Sequence, residues 1–226
     1  MLEFSGVSKV YARTAGGRVH ALVEASFRVA PGELVAVCGP AGAGKSTLCR
    51  LAWGEERASR GSVVLDGAPL ESLGGRGLAR LRRRLGVVPQ EPRLVPDRTA
   101  LGNVTVVLRA LGMGRSAART RAYELLSTAG LGAKPNALPA ELALGERQQL
   151  AIARALATAP DLVLADEPFA TGDGAPVAAL LRSVHAQGTT VLIATRAVRL
   201  AEELGARVLT LEAGRLSDSG GVPGRA

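Results

Sequence analysis

The feature that most restricts what this chain can become is the string Gly39-Pro-Ala-Gly-Ala-Gly-Lys-Ser46, set between the apolar run Leu34–Cys38 and a helix-patterned stretch, Ser46–Trp53. An apolar run of strand length, a glycine-rich turn and a helix in that order make a phosphate-binding loop. Along the loop Gly39, Pro40, Ala41, Gly42, Ala43 and Gly44, the glycines at 42 and 44 let the backbone fold so that successive N–H groups point inward at phosphate oxygens, and the N-terminus of the helix adds a partial positive charge. Lys45 is placed to bridge the β and γ phosphates and Ser46 to set its hydroxyl on Mg²⁺, with Thr47 next to them in the helix's first turn. The bland alternative, a glycine-rich turn carrying a solvated lysine, has no need of a strand before it and a helix after it.

A second component is Leu162-Val-Leu-Ala-Asp-Glu167, an apolar strand ending in two carboxylates. A carboxylate at a strand end beside a phosphate loop can hold Mg²⁺ or its water, which makes Asp166 the metal-side candidate and Glu167 the candidate base. Alone, such an ending is as easily a helix cap or a solvated edge. Paired with the loop it points to phosphoryl chemistry.

The remaining pattern is α/β. Residues 1–30 alternate short apolar runs around Thr14–Gly17, which predicts an antiparallel hairpin. Short strands are expected at 63–65 and 86–89, a basic helix over 73–85, helices over 118–130 and 146–158, core strands at 162–165, 191–195 and 208–211, and a helix over 175–186. The implied domain is a parallel-sheet core (1–89 and 160–216, including an N-terminal antiparallel β-subdomain), an inserted helical subdomain (90–159) and a flexible tail (217–226). Hydrophobic residues at 47% and charged residues at 21% exclude extended disorder and fibrous chains. Cys38 and Cys49 read as reduced core residues of a cytosolic protein, and neither His20 nor His185 stands at a metal-ligand spacing. The N-terminus lacks a signal-peptide profile and no apolar run is long enough to span a bilayer, so a membrane role would come through a partner. The excess of 28 basic over 20 acidic residues suits an anionic partner. Its densest part, the arginines at 80 and 82–84, reads as a solvated helix face, with lipid headgroups or nucleic acid as the functional alternatives.

Taken in order, these pieces resemble the nucleotide-binding domain of the ABC ATPase superfamily, from Leu2 to about Leu216. Tyr11 matches the aromatic that stacks on adenine, although a strand tyrosine packing on the sheet would look the same. Gln90 matches the loop glutamine that senses Mg²⁺ and the attacking water. Leu142-Ala-Leu-Gly-Glu-Arg-Gln148 matches the signature ahead of the Ile-Ala-Arg-Ala-Leu helix, and Asp173 the dimer-interface aspartate. Within the family, Val88–Thr99 and Gly102-Asn-Val104 are most similar to the cell-division branch, FtsE, with the lipoprotein-release and macrolide-export ATPases as close relatives. The resemblance implies ATP and Mg²⁺ as ligands and a homodimer, or a heterodimer with another ABC ATPase, with each ATP sandwiched between one subunit's loop and the other's signature. It also implies a membrane permease-like subunit (FtsX-like) docked near Gln90–Asn103, a location on the cytoplasmic face of the membrane, and no direct nucleic-acid partner.

Three positions depart from the family. Ala143 stands where the signature has Ser, Leu144 where it has the first of two glycines (leaving Gly145 and Glu146), and Arg196 where the switch histidine follows the strand. Ala143 removes a donor to the γ-phosphate and Leu144 restricts close backbone approach, at about 1.5–3 kcal/mol for a lost charge-assisted hydrogen bond. Arg196 keeps a positive donor but cannot shuttle a proton. The expectation is intact ATP binding with slow hydrolysis; the alternatives are tolerated substitutions, a partner ATPase that completes the site, or an ATP-gated scaffold.

Overall fold

The computed structural model describes residues 1–12, 17–169 and 174–218. β1 (Leu2–Ala12) and β2 (Arg18–Val29) pair antiparallel, with Leu2 opposite Val29 and Ala12 opposite Arg18. β3 (Leu34–Cys38) leaves for a second sheet, while β4 (Arg60–Leu65) and β5 (Ala68–Pro69) extend the first to the order β2-β1-β4-β5. The second sheet adds β6 (Leu85–Val88), β7 (Leu162–Asp166), β8 (Thr190–Thr195), β9 (Arg207–Glu212) and β10 (Arg215–Asp218) in the order β10-β9-β3-β8-β7-β6. Its strands β9, β3, β8, β7 and β6 run parallel, and β10 closes the edge antiparallel. Every residue of β3, β7 and β8 is buried, as expected for strands covered on both faces.

One cover is α1 (Lys45–Ala52) with the antiparallel sheet, meeting the parallel strands through Phe4, Leu22, Val37, Leu48, Leu164 and Leu192. The other is built from α3 (Ala100–Ala110), α4 (Arg115–Thr128), α5 (Leu144–Leu156) and α6 (Ala175–Ala186), with Leu126, Leu150, Ile152, Val163, Val191 and Ile193 between them. Two short helices, α2 (Gly75–Arg82) and α7 (Val198–Glu203), lie on the outside of these layers with little or no buried side-chain surface. Among the described residues no helix is long and apolar enough to cross a membrane.

Register fixes the site. Cys38 pairs with Thr195 and Asp166 with Ala194, so the carboxyl ends of β3, β7 and β8 lie side by side. Ligands of open parallel sheets bind outside those ends.

The structure corrects the expected tail. Ser217 and Asp218 belong to β10, because Ala213 and Gly214 (φ 45° and 78°) make a tight turn that folds the chain back on β9, and Arg207 Nη1 pairs with Asp218 at 3.0 Å. The basic helix is also shorter than 73–85 and buries no residue. Helix α3 was not singled out by pattern; Thr99 caps it by accepting from Gly102 N at 3.1 Å. The cysteines are free and buried, and burial pushes the Cys38 thiol up to about 11.

Candidate functional site

The loop after β3 can turn as it does because two positions admit no side chain. A Cβ on Gly39 would collide with the carbonyl of Leu211, and Gly44, at φ 109°, faces the carbonyl of Ala21 in the same way. The loop is therefore sewn to β2 and to the β9–β10 turn, and Gly214 N donates to Ala43 O at 3.0 Å while Val23 N donates to Gly214 O at 2.8 Å. Gly44 caps α1, whose first-turn N–H groups have no intrahelical acceptor and open on the cleft above.

Lys45 does not stretch into solvent. It is buried, and its Nζ donates to Gly39 O and Pro40 O at 2.9 Å each and pairs with Glu167 Oε1 at 3.2 Å. Glu167, also buried, adopts a left-handed backbone (φ 48°) just past β7, fixed by Glu167 N donating to Ala194 O at 2.7 Å. Its other oxygen accepts from Arg196 N at 3.1 Å, and Arg196 Nε lies 3.4 Å from Oε1. One carboxylate thus engages two cations and a main-chain donor across a cleft of about 400 Å³.

Asp166, one residue earlier, has Oδ1 buried without a hydrogen-bond partner in the structure. Burial raises its carboxyl above the usual range, and a hydrogen bond from Ser46 pulls it back. An orphaned carboxylate oxygen beside a serine hydroxyl, under a phosphate loop, is a donor set that fits a hard divalent cation. Gln90, exposed, lines both the main cleft and a side cleft of about 230 Å³ that reaches Asp166.

Tyr11 also lines the cleft. Its hydroxyl donates to Glu56 Oε2 at 2.6 Å and lies 3.4 Å from Thr47 Oγ1, while Lys9 Nζ sits 5.0 Å from the ring centroid. Burial and the Glu56 carboxylate hold the phenol above its ordinary value.

One cleft thus joins a glycine-rich loop at a helix N-terminus, a buried lysine–carboxylate pair and an aromatic ring. A family model described as "ABC transporter" matches residues 22–170. The chain belongs to that family. It is similar to the lipoprotein-releasing system ATP-binding protein LolD of Hyphomonas neptunium, 40% identical across 96% of this chain and 97% of the relative. The methionine import ATP-binding protein MetN of Myxococcus xanthus is 41% identical, and the match takes in 98% of this chain but 68% of that longer protein. Among solved structures, the dimeric post-hydrolysis state of an ATP-binding cassette bound to ADP and Pi superposes with a TM-score of 0.89 at 31% identity, over 98% of this chain and 100% of that one. As an ABC ATPase, the chain is the ATP-binding subunit of a transporter, from a family that hydrolyses ATP with Mg²⁺, dimerises and pairs with a membrane permease subunit.

Within this ABC ATPase, the cleft collects Tyr11, Ala41, Gly42, Gly44, Lys45, Ser46, Thr47, Gln90, Glu167 and Arg196. Gly39 and Pro40 act through their carbonyls on Lys45, and Ala43 is buried beneath the loop. Ala143, Leu144, Gly145 and Glu146 do not line the cleft; they form the N-terminus of α5, where Leu144 is 56% exposed. Glu146 is engaged at home, accepting from Ala143 N at 3.0 Å and pairing with Lys134 at 2.6 Å, a hydrogen bond that lowers its pKa. Asp173 lies outside the described residues. The sequence reading missed Val19, His20 and Ala21, which form the β2 wall of the cleft, and the Lys9–Glu56 pair at 2.9 Å behind Tyr11. The strand pairing of Tyr11 with Val19 could have flagged that wall.

Tyr11→Ala is expected to weaken ATP binding by roughly five- to a hundredfold, since stacking on an aromatic contributes about 1–3 kcal/mol per base. Binding of tripolyphosphate, which has no base to stack, should stay within twofold. Calorimetry with both ligands checks this, and equal losses would assign Tyr11 to the fold alone.

Proposed function

We propose that this chain binds ATP and hydrolyses it slowly as a dimer, and that closure of the dimer drives or gates a separate membrane permease. The observation that carries the reading is the buried Lys45 ammonium, held in the cleft between two loop carbonyls and the Glu167 carboxylate. A triphosphate entering there offers Lys45 a stronger anionic partner and frees Glu167 to accept a hydrogen bond from water. In this reading Glu167 positions the water or takes its proton, Arg196 and Lys45 neutralise charge that grows on the γ-phosphate, and Tyr11 stacks on adenine. Ser46, Asp166 and Gln90 would hold Mg²⁺, which when bound neutralises phosphate charge. The segment 90–159 is proposed as the helical lobe that carries the signature to the partner's nucleotide, with Asp173 at the same interface.

A groove of about 390 Å³ supports the permease. Trp53, Leu85, Val87 and Pro89 give it an apolar floor, and Arg82, Arg93 and Arg154 rim it with Glu55. Glu55 pairs with Arg93 at 3.2 Å, whereas Arg154 is half-buried and donates to the Arg93 carbonyl, so the rim carries more positive than negative charge. An amphipathic helix with carboxylates at its edge fits such a groove. The adjoining 91–99 segment is pinned by buried Asn103, whose Oδ1 accepts from Val95 N at 2.8 Å and whose Nδ2 donates to the carbonyls of Val95, Arg98 and Thr99. This links Gln90 in the cleft to the groove through a rigid loop.

For the partner, full-length similarity to LolD supports a lipoprotein-release permease on the cytoplasmic face of the membrane. The similarity of Val88–Val104 to FtsE supports an FtsX-like cell-division partner as the second reading. Calorimetry with Mg-ATP should give saturable heat, and phosphate release should run below about 1 s⁻¹, under the typical enzyme range. No heat would sink the reading, and a turnover at or above that value would sink its slow-hydrolysis part. The membrane protein that copurifies from detergent extract decides between the two partners.

A further inference from the structure

The arginine run is not one solvated face. Arg84 bridges Asp66 and Asp161 at 2.9 and 2.8 Å, and Arg82 donates to the carbonyls of Trp53 and Gly54 at 3.2 and 2.7 Å. Both are tied into the fold. Arg76, Arg80 and Arg83 are different: each is exposed, and among the described residues no ion pair joins them to a carboxylate. They stand at i, i+4 and i+7, so they share one stripe of α2 and the turn that ends it. The opposite side holds Leu78, packed over Gly54, and Leu81, packed on the core. Neither α2 nor Arg83 brings an acidic residue or an aromatic to the stripe.

We propose that this stripe is a contact for anionic lipid headgroups. Three guanidinium groups along about 10 Å of helix, at the 1.5 Å rise per residue of an α-helix, match two or three neighbouring phosphates on a flat surface. Unpaired arginine gives up no internal salt bridge on binding there. The absence of an exposed aromatic on the helix removes the stacking platform that single-stranded nucleic acid uses. Arg82 of the same helix rims the groove assigned above to the permease, which puts the stripe beside a bilayer once the permease is docked. That location rests on the permease reading, whereas the lipid affinity does not.

The test is cosedimentation of the full chain with vesicles of phosphatidylcholine, with and without phosphatidylglycerol, at low and physiological salt. Binding should require phosphatidylglycerol and weaken with salt. The triple variant Arg76→Gln, Arg80→Gln, Arg83→Gln should lose on the order of 100-fold in apparent affinity, about fivefold per arginine. A control of equal net charge, Arg60→Gln, Arg115→Gln, Arg215→Gln, removes exposed arginines from β4, α4 and β10 and should lose no more than about fivefold, because those groups sit on separate elements. Retained Mg-ATP heat verifies that the α2 variant is folded. Equal losses in the two variants would reduce the effect to net charge and overturn the proposal, as would vesicle binding untouched by the α2 changes. No permease is present in the assay, so such a failure leaves the permease reading standing.

Discussion

Replacing Lys45 by alanine is expected to leave a folded chain with phosphate release down by about 10³-fold or more, and with the heat of Mg-ATP binding largely gone. Two effects combine. The ammonium is buried and needs no rearrangement of solvent to meet a phosphate, so its attraction is stronger than that of a surface lysine. Its removal also takes one of two cations from Glu167. Stranding a buried charge costs about 3–5 kcal/mol, but Arg196 still meets this carboxylate through its main-chain N at 3.1 Å and its Nε at 3.4 Å, so the nucleotide-free fold should lose much less. Melting curves separate the two effects. ATP at about 100 times its dissociation constant adds about 2.7 kcal/mol to the wild type, or roughly 5–10 °C for a domain of this size, and should add nothing to the variant. A variant that melts like the wild type with and without ATP would remove Lys45 from the site.

The parts of this site that were legible are those where the backbone allowed little choice. Leu34–Cys38 could only be a covered strand, and the close approaches at Gly39 and Gly44 leave the loop one path into α1. Asp166 and Glu167 were legible because a buried apolar strand that ends in two carboxylates needs something at its end to receive them. Helix α3 was hidden: Val104-Thr-Val-Val107 has the β-branched character of a strand, and the helix is held by contacts that only tertiary structure reveals, including the four hydrogen bonds of Asn103. The tail was hidden for the opposite reason, since Ser217 and Asp218 are polar and pair with β9 only because the Ala213–Gly214 turn brings them there. The arginines at 80–84 could not be sorted by sequence, because whether each meets a carbonyl, a carboxylate or water depends on where α2 lies.

The proposed signature positions, Ala143 and Leu144, give the second large effect, in the opposite direction. Restoring the family residues with Ala143→Ser and Leu144→Gly should raise the turnover of the dimer by roughly ten- to a hundredfold, the equivalent of the 1.5–3 kcal/mol carried by a hydrogen bond to a charged group. Ala143 is the cap of α5 and has no side-chain acceptor, so only the Glu146 half of a capping box is made. Serine there would supply the other half and, in a closed dimer, a hydroxyl facing the partner's γ-phosphate. Glycine at 144 would remove a side chain that is 56% exposed at the same helix end and let the backbone N–H groups approach the nucleotide. The fold should barely register the pair. A serine cap adds about 0.5–2 kcal/mol over alanine, and glycine in the first helical turn costs up to about 1 kcal/mol. Stability and turnover are therefore expected to separate: an unchanged melting temperature with faster phosphate release assigns the slow rate to the trans contact. A higher melting temperature without faster release would mean that the serine acts only as a cap. A double variant within twofold of the wild type in both would move the limit to Arg196, whose Nε lies 3.4 Å from Glu167 Oε1.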